Sequence, residues 1–229
     1  MPTRSPGLDV ATGIQLELHW RLSPTSFLLK HPIDFSTLDA VELVPFTPVA
    51  TLPPAALFAY LCAHGAGHGW FRLKWLADIH SLITGLPDAH LWAYDRLARV
   101  QGTERAVGQA LMLCAGLLGL RLPPDLAAEL RRSWILRLLT SIGRRCLTRG
   151  NAQTELHDLP FGTTLVSVSH LLLAPSLPAR ITDFWRKCVD LDDIARFPLP
   201  RSLGFLYRLL RWPLWLCRRV ANAGASTVE

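Results

Sequence analysis

The segment Gly13–Trp20 (GIQLELHW) alternates Ile14, Leu16, Leu18 and Trp20 with Gln15, Glu17 and His19, the period-two signature of a half-buried strand. Its polar face aligns Glu17 with His19. After a loop rich in Pro, Ser and Thr, the β-branched and aromatic residues of Val41–Val49 predict one more strand or a short hairpin. The period then changes. Pro53 and Pro54 mark a helix start, where the first turn has no use for the missing amides, and the pattern is helical from there on. It predicts Pro54–Ala63, a break or kink at Gly65, Gly67 and Gly69, and Trp70–Leu82. Ala89–Val100 follows behind an Asp88 N-cap and ends at Gly102. Thr103 introduces Glu104–Leu118, whose Gly108, Ala110, Ala115 and Gly116 permit close helix packing. Pro123 and Pro124 open a helix through Leu130 that resumes over Ser133–Leu147. Past a polar connection at Asn151–Gly162 come Thr163–Leu173, Pro178–Val189 and, after Pro198 and Pro200, Ser202–Val220. The expected fold is α+β and mostly helical, with a short two- to three-stranded region over residues 1–52 and a helical bundle over 53–229. So few strands are not a stable sheet alone. Either the helices cover them or something outside this chain completes the sheet.

Composition adds a sizeable core and a local charge. The 229 residues are 50% hydrophobic and 18% charged, enough for one large domain or two small ones, with nothing that suggests disorder. The net charge of +6 is uneven: Arg196, Arg201, Arg208, Arg211, Arg218 and Arg219 meet no acid between Ile194 and Val228. A patch of that kind suits phosphates, acidic partners or anionic lipid, and no specific nucleic-acid binding is expected. Leu203, Leu206, Leu209, Leu210, Trp212 and Trp215 among these arginines raise peripheral membrane contact, although Pro213 interrupts the apolar stripe. Five widely spaced cysteines without a CxxC pair point to reduced core residues of a cytoplasmic protein. MPTRSPGLDVATG lacks the apolar core of a signal peptide, and no apolar run is long enough to span a bilayer.

Unusual chemistry concentrates in Ala63–Ile83 (AHGAGHGWFRLKWLADIHSLI). On a helix with 100° per residue, His64, His68, Phe71, Trp75, Asp78 and Leu82 fall within a sector of about 80°, flanked by Arg72 and Lys74. A face that only filled a core would be plain Leu, Ile and Val. The i, i+4 histidines have metal-ligand spacing, but Gly65, Ala66 and Gly67 supply no glutamate base, and two ligands are too few for zinc. HGAGHG lacks both the Lys-Ser/Thr ending and the preceding strand of a phosphate loop. The imidazoles therefore either hydrogen-bond within a packed polar helix or line a pocket. In a pocket Arg72 would meet phosphate with its planar fork and Lys74 as a point charge. Trp70, Trp75 and Trp92 read as core or interface anchors, and Asp190 to Asp192 as a helix-capping loop.

The combination of QLELHWRL, LPPAALFAYLCAHGAGHGWFRLKWLADIHSLI and DLDDIARFPLPRSLGFLYRLLRWP resembles the bacterial nucleotidyltransferase-like family related to the DNA polymerase beta superfamily. The resemblance covers roughly Gln15 to Trp212, and its most specific parts are Leu-His-Trp and His-Gly-x-x-His-x-Trp-x-Arg-Leu. It implies that the strands are a remnant of a nucleotidyltransferase sheet. Full-length members carry a Gly-Ser turn and an Asp-x-Asp pair which, with a third carboxylate on the next strand, hold Mg²⁺ against triphosphate oxygens. Here only the third has a counterpart, so the resemblance implies Glu17 as catalytic residue and metal ligand. It also implies His64, His68, Arg72, Lys74 and Asp78 as nucleotide-binding residues. The chain looks like a member cut short at its amino end. In full length it would transfer a nucleotidyl group from a nucleoside triphosphate to an unknown acceptor, in the context of bacterial surface polysaccharides. Alone it is expected to bind nucleotide weakly, with little dependence on Mg²⁺, and to release no pyrophosphate. The alternative is a non-catalytic helical module that binds a partner or a membrane surface.

Overall fold

A computed structural model describes residues 6–9, 14–17, 22, 28–29, 31, 38–149, 162–187, 200, 203–204, 206–207 and 210. Strand β1 (Pro6–Asp9) pairs antiparallel with β2 (Ile14–Glu17), Pro6 opposite Glu17 and Asp9 opposite Ile14. β2 lies within the strand that alternation predicts, while Leu18, His19 and Trp20 lie outside the described residues. β1 is an addition: PGLD is too short to show a period, and its proline is tolerated at the first position of an edge strand. The Val41–Val49 segment is a hairpin, β3 (Asp39–Val44) and β4 (Thr47–Thr51), with Val41 opposite Val49 and a bulge between Glu42 and Val44. At its tip Phe46 adopts φ +65°, and its N–H donates to the Glu42 carboxylate at 2.5 Å. Among the described residues the strands thus form two separate two-stranded sheets, where one sheet of two or three strands is expected.

The helices are α1 (Pro54–Gly67), α2 (Leu73–Ile83), α3 (Asp88–Gln101), α4 (Glu104–Leu118), α5 (Pro124–Arg132), α6 (Trp134–Arg149), α7 (Gly162–Leu173) and α8 (Leu177–Lys187). Prolines and glycines set several of their ends. Pro53 and Pro123 stand at the N-caps of α1 and α5, and Gly102 ends α3 in the left-handed conformation at φ +70°. Two expected caps take other roles. Asp88 is the first residue of α3 behind Pro87 and acts on the helix dipole. Thr103 does hold the N-cap position of α4, but its hydroxyl donates back to the Ala98 carbonyl at 3.3 Å. The expected Asp190–Asp192 cap, the Ser202–Val220 helix and the arginines from Arg196 to Arg219 lie outside the described residues, apart from a few isolated positions between Leu203 and Leu210.

The chain divides into two compact units, Met1–Pro175 and Ser176–Glu229. In the first, α4 is the hub and packs against α1, α2, α3, α5 and α6. It buries Ala106, Val107, Ala110, Leu111, Leu113 and Cys114. The approach is closest at Gly108, where a Cβ would lie 2.8 Å from Leu136 Cδ1 and 3.1 Å from Leu130 Cδ2. A Cβ on Gly116, expected to serve the same purpose, would meet nothing within 4 Å among the described residues. The two glycines therefore predict opposite outcomes in urea melts. Gly108→Val is expected to lose about 2 kcal/mol by overpacking, and Gly116→Ala to gain about 0.5 kcal/mol from helix propensity.

Polar links fasten the periphery. Arg99 of α3 donates to Asp95 at 2.8 Å and to Glu129 of α5 at 2.6 Å. Arg105 donates to the Leu172 and Ala174 carbonyls at 2.8 and 2.5 Å, satisfying the carboxyl end of α7. Cys62, Cys114 and Cys146 are buried, as expected of core thiols, whereas Cys188 and Cys217 lie outside the described residues. Burial pushes the Cys114 thiol up to about 12. Burial, with the nearby Cys114 adding to it, raises Cys62 well above the usual thiol range. Among the described residues no helix is long and apolar enough to cross a membrane.

Candidate functional site

The stretch with the unusual side chains is two helices joined by a tight turn, so that of the break or kink expected at the glycines the structure has the break. α1 continues through Gly65 to Gly67 and then closes in a Schellman arrangement. The Trp70 N–H donates to the Gly65 carbonyl at 2.9 Å and the Gly69 N–H to the Ala66 carbonyl at 3.1 Å. Gly69, at φ +66°, is the residue that lets this happen. Trp70, expected to start the second helix, follows in the same left-handed region at φ +60°, and its indole swings back over α1. A Cβ on Gly65 would stand 2.3 Å from Trp70 Cζ3. Gly65 is therefore a seat for the indole. Trp70 is fully buried, and its Nε1–H has no hydrogen-bond partner among the described residues, so packing holds it.

From the turn the chain enters α2 through an extended Arg72 (φ −117°, ψ 119°), and this brings Trp75 against the end of α1. The His64 and His68 rings are 4.7 Å apart by centroid. Trp75 lies 5.4 Å from His64, edge-on at 89°, and 5.3 Å from His68. Phe71 meets Trp75 at 5.0 Å, and Tyr60, one turn before His64, extends the row at 5.9 Å. His68 is the exposed member, while Tyr60, His64, Phe71 and Trp75 are half-buried. The Arg72 guanidinium carbon sits 5.2 Å from the Phe71 centroid, a cation over an aromatic face. Lys74 and Asp78 form an i, i+4 ion pair at 2.8 Å, with Lys74 77% exposed, so the pair adds only about 0.5 kcal/mol or less.

Of the expected site residues, His64, His68 and Arg72 thus gather with Phe71 and Trp75, while Asp78 pairs with Lys74 at the side. Glu17 ends β2 on the rung of Pro6. Asp9, on the Ile14 rung, is three rungs away, about 10 Å along the ladder. Mg²⁺ wants oxygen donors in octahedral array. The α1–α2 face offers two imidazoles and a carboxylate already engaged by Lys74, a donor set that does not fit that ion. Among the described residues no three His, Cys, Asp or Glu side chains converge. A separate groove of about 310 Å³, lined by Met112, Ala115, Gly116, Leu122, Leu130 and Arg131 among others, shares no residue with this face.

Residues 3–119 match the model of a family described as an uncharacterised nucleotidyltransferase. The match runs from β1 to the end of α4 and takes in Glu17 and the whole α1–α2 face. It starts before Gln15 and stops well before the Asp190–Pro213 segment, so the family likeness is narrower at the carboxyl end than the motifs suggest. No curated protein and no solved structure gives a match. With more than half of the chain matched, the protein belongs to this uncharacterised nucleotidyltransferase family.

Proposed function

We propose that the protein holds a nucleoside triphosphate at the α1–α2 face for nucleotidyl transfer to an acceptor in the cytoplasm, with these 229 residues by themselves binding it weakly and releasing no pyrophosphate. The observation that carries this reading is the turn at 68–72, which sets two imidazoles and a stacked guanidinium around one partly exposed aromatic row, with the exposed Lys74 two residues on in α2. His64, His68, Arg72 and Lys74 meet phosphate oxygens, and Asp78 orients Lys74. Trp75 has the rings of His64, His68 and Phe71 packed around it, so the face suits the charged phosphate tail better than a stacked base. In the reaction an acceptor oxygen bonds to the α-phosphorus as its bond to the bridging oxygen breaks and pyrophosphate departs. The cations offset the charge that builds on the leaving group. Glu17 is the carboxylate reserved for Mg²⁺ in this reading.

Calorimetric titration with ATP at low salt tests it. Arg72→Gln combined with Lys74→Gln is expected to weaken binding about ten-fold or more, since each removes a charge-assisted hydrogen bond. Glu17→Gln is expected to abolish any increment that Mg²⁺ adds and to leave metal-free binding alone. Unchanged affinity in the Arg72/Lys74 double variant would place the nucleotide elsewhere.

A further inference from the structure

The Schellman closure of α1 satisfies the carbonyls of His64, Gly65 and Ala66 through the amides of His68, Gly69 and Trp70. The carbonyl of Gly67, last residue of the helix, is one that this motif leaves over. It is taken from outside by His170 of α7, whose Nε2 stands 2.7 Å from Gly67 O although 103 residues separate the two. A carbonyl only accepts, so Nε2 carries the proton.

The same helix bears on the turn with two more groups. Val166, one turn before His170, would lie 3.1 Å from a Cβ on Gly69, at the centre of the left-handed reversal. Phe71 packs with Leu165, Val166 and Leu172 against the buried Ile142 and Cys146 of α6. α7 therefore grips the turn at its entry through Gly67, at its middle through Gly69 and at its exit through Phe71. His68 and Arg72 sit between and just beyond these points.

We propose that His170 is a positioning residue for the nucleotide face: by holding the Gly67 carbonyl it sets the direction in which His68 and Arg72 leave the turn. The functional half of this inference rests on the proposed nucleotide reading of the face. The structural half does not.

Three measurements decide it. In the wild-type protein, ¹⁵N correlation spectra of the His170 ring are expected to show the Nε2–H tautomer. The Nδ1–H tautomer would overturn the proposal without any variant having to fold. In the nucleotide-free protein, His170→Phe is expected to move the His68 ring resonances, and His170→Gln, which keeps a donor of similar reach, to return them toward wild type. An unmoved His68 ring in a folded His170→Phe protein overturns the proposal. ATP affinity is expected to fall about five-fold in His170→Phe, the equivalent of one net hydrogen bond, and to recover in His170→Gln. Wild-type affinity in His170→Phe removes the functional role. A wild-type protein that binds no ATP sinks the nucleotide reading instead, and the tautomer and the His68 shift still judge the strut.

Discussion

Replacing Gly65 by alanine is expected to cost stability, although the same change in an ordinary helix interior gains about 1 kcal/mol. The sign reverses because the new methyl would stand 2.3 Å from Trp70 Cζ3 and 2.7 Å from two further carbons of the same ring. The indole is rigid, fully buried and tied to a backbone at φ +60°, so it has little room to retreat. Overpacking of this severity costs about 3 kcal/mol, which leaves a net loss of about 2 kcal/mol after the propensity gain. Urea unfolding with linear extrapolation reads it directly. Trp70→Leu alone should lose about 3 kcal/mol, because it opens a cavity where the indole was. In that background Gly65→Ala should become neutral or stabilising. Additive losses in the double variant would show that the two residues do not meet as described.

Alkaline pH is expected to unfold the protein by way of its buried thiols, and this is the larger effect. Cys114 rises from an ordinary 9.0 to about 12 on folding, and Cys62 rises as well, both chiefly through burial. Between those values the unfolded thiol has lost its proton and the folded one keeps it. The stabilisation is complete below pH 9 and drains away as pH climbs toward 12. The slope is about 1 kcal/mol per pH unit for each such thiol. Chemical denaturation at pH 7.5, 9 and 10.5 should show the fall, and Cys114→Ala should have a shallower slope, whatever it loses at pH 7.5 from packing. Equal slopes in the two proteins would mean that Cys114 ionises in the folded state as readily as in the unfolded one. Iodoacetamide should likewise leave both thiols unmodified until the chain unfolds.

Local rules were legible where one residue type decides the backbone. Pro53, Pro123 and Gly102 mark helix ends because a missing amide or a left-handed φ admits few alternatives. Ile14 to Glu17 was legible as strand because its alternation runs past its own length, whereas Pro6–Asp9 is recognised only through its pairing with it. Gly108 and Gly116 look alike in sequence, yet only the first faces another helix, and that depends on the crossing of α4 with α5 and α6. The candidate site was half legible. A helical projection brings His64, His68, Phe71 and Trp75 together, and they are together, but a chain reversal at Gly69 and Trp70 achieves it. The Gly-x-x-x-Gly-Trp spacing from Gly65 to Trp70 is the sign of that reversal: a left-handed glycine for the cap and a bare position one turn earlier for the ring. No such sign exists for His170, which reaches Gly67 only through tertiary packing.

That reach has a consequence in time. On the ribosome the chain emerges from its amino end, and α1, the turn and α2 are complete once Ile83 has been added. The helix that grips the turn spans Gly162–Leu173, so synthesis must add about 90 residues, several seconds of elongation, before it exists. Throughout that interval the Gly67 carbonyl faces water and Phe71 has only part of its cover. The nascent chain is thus expected to fold its α1–α4 core first and to fix the direction of His68 and Arg72 last, when α7 closes a long loop onto a turn already formed.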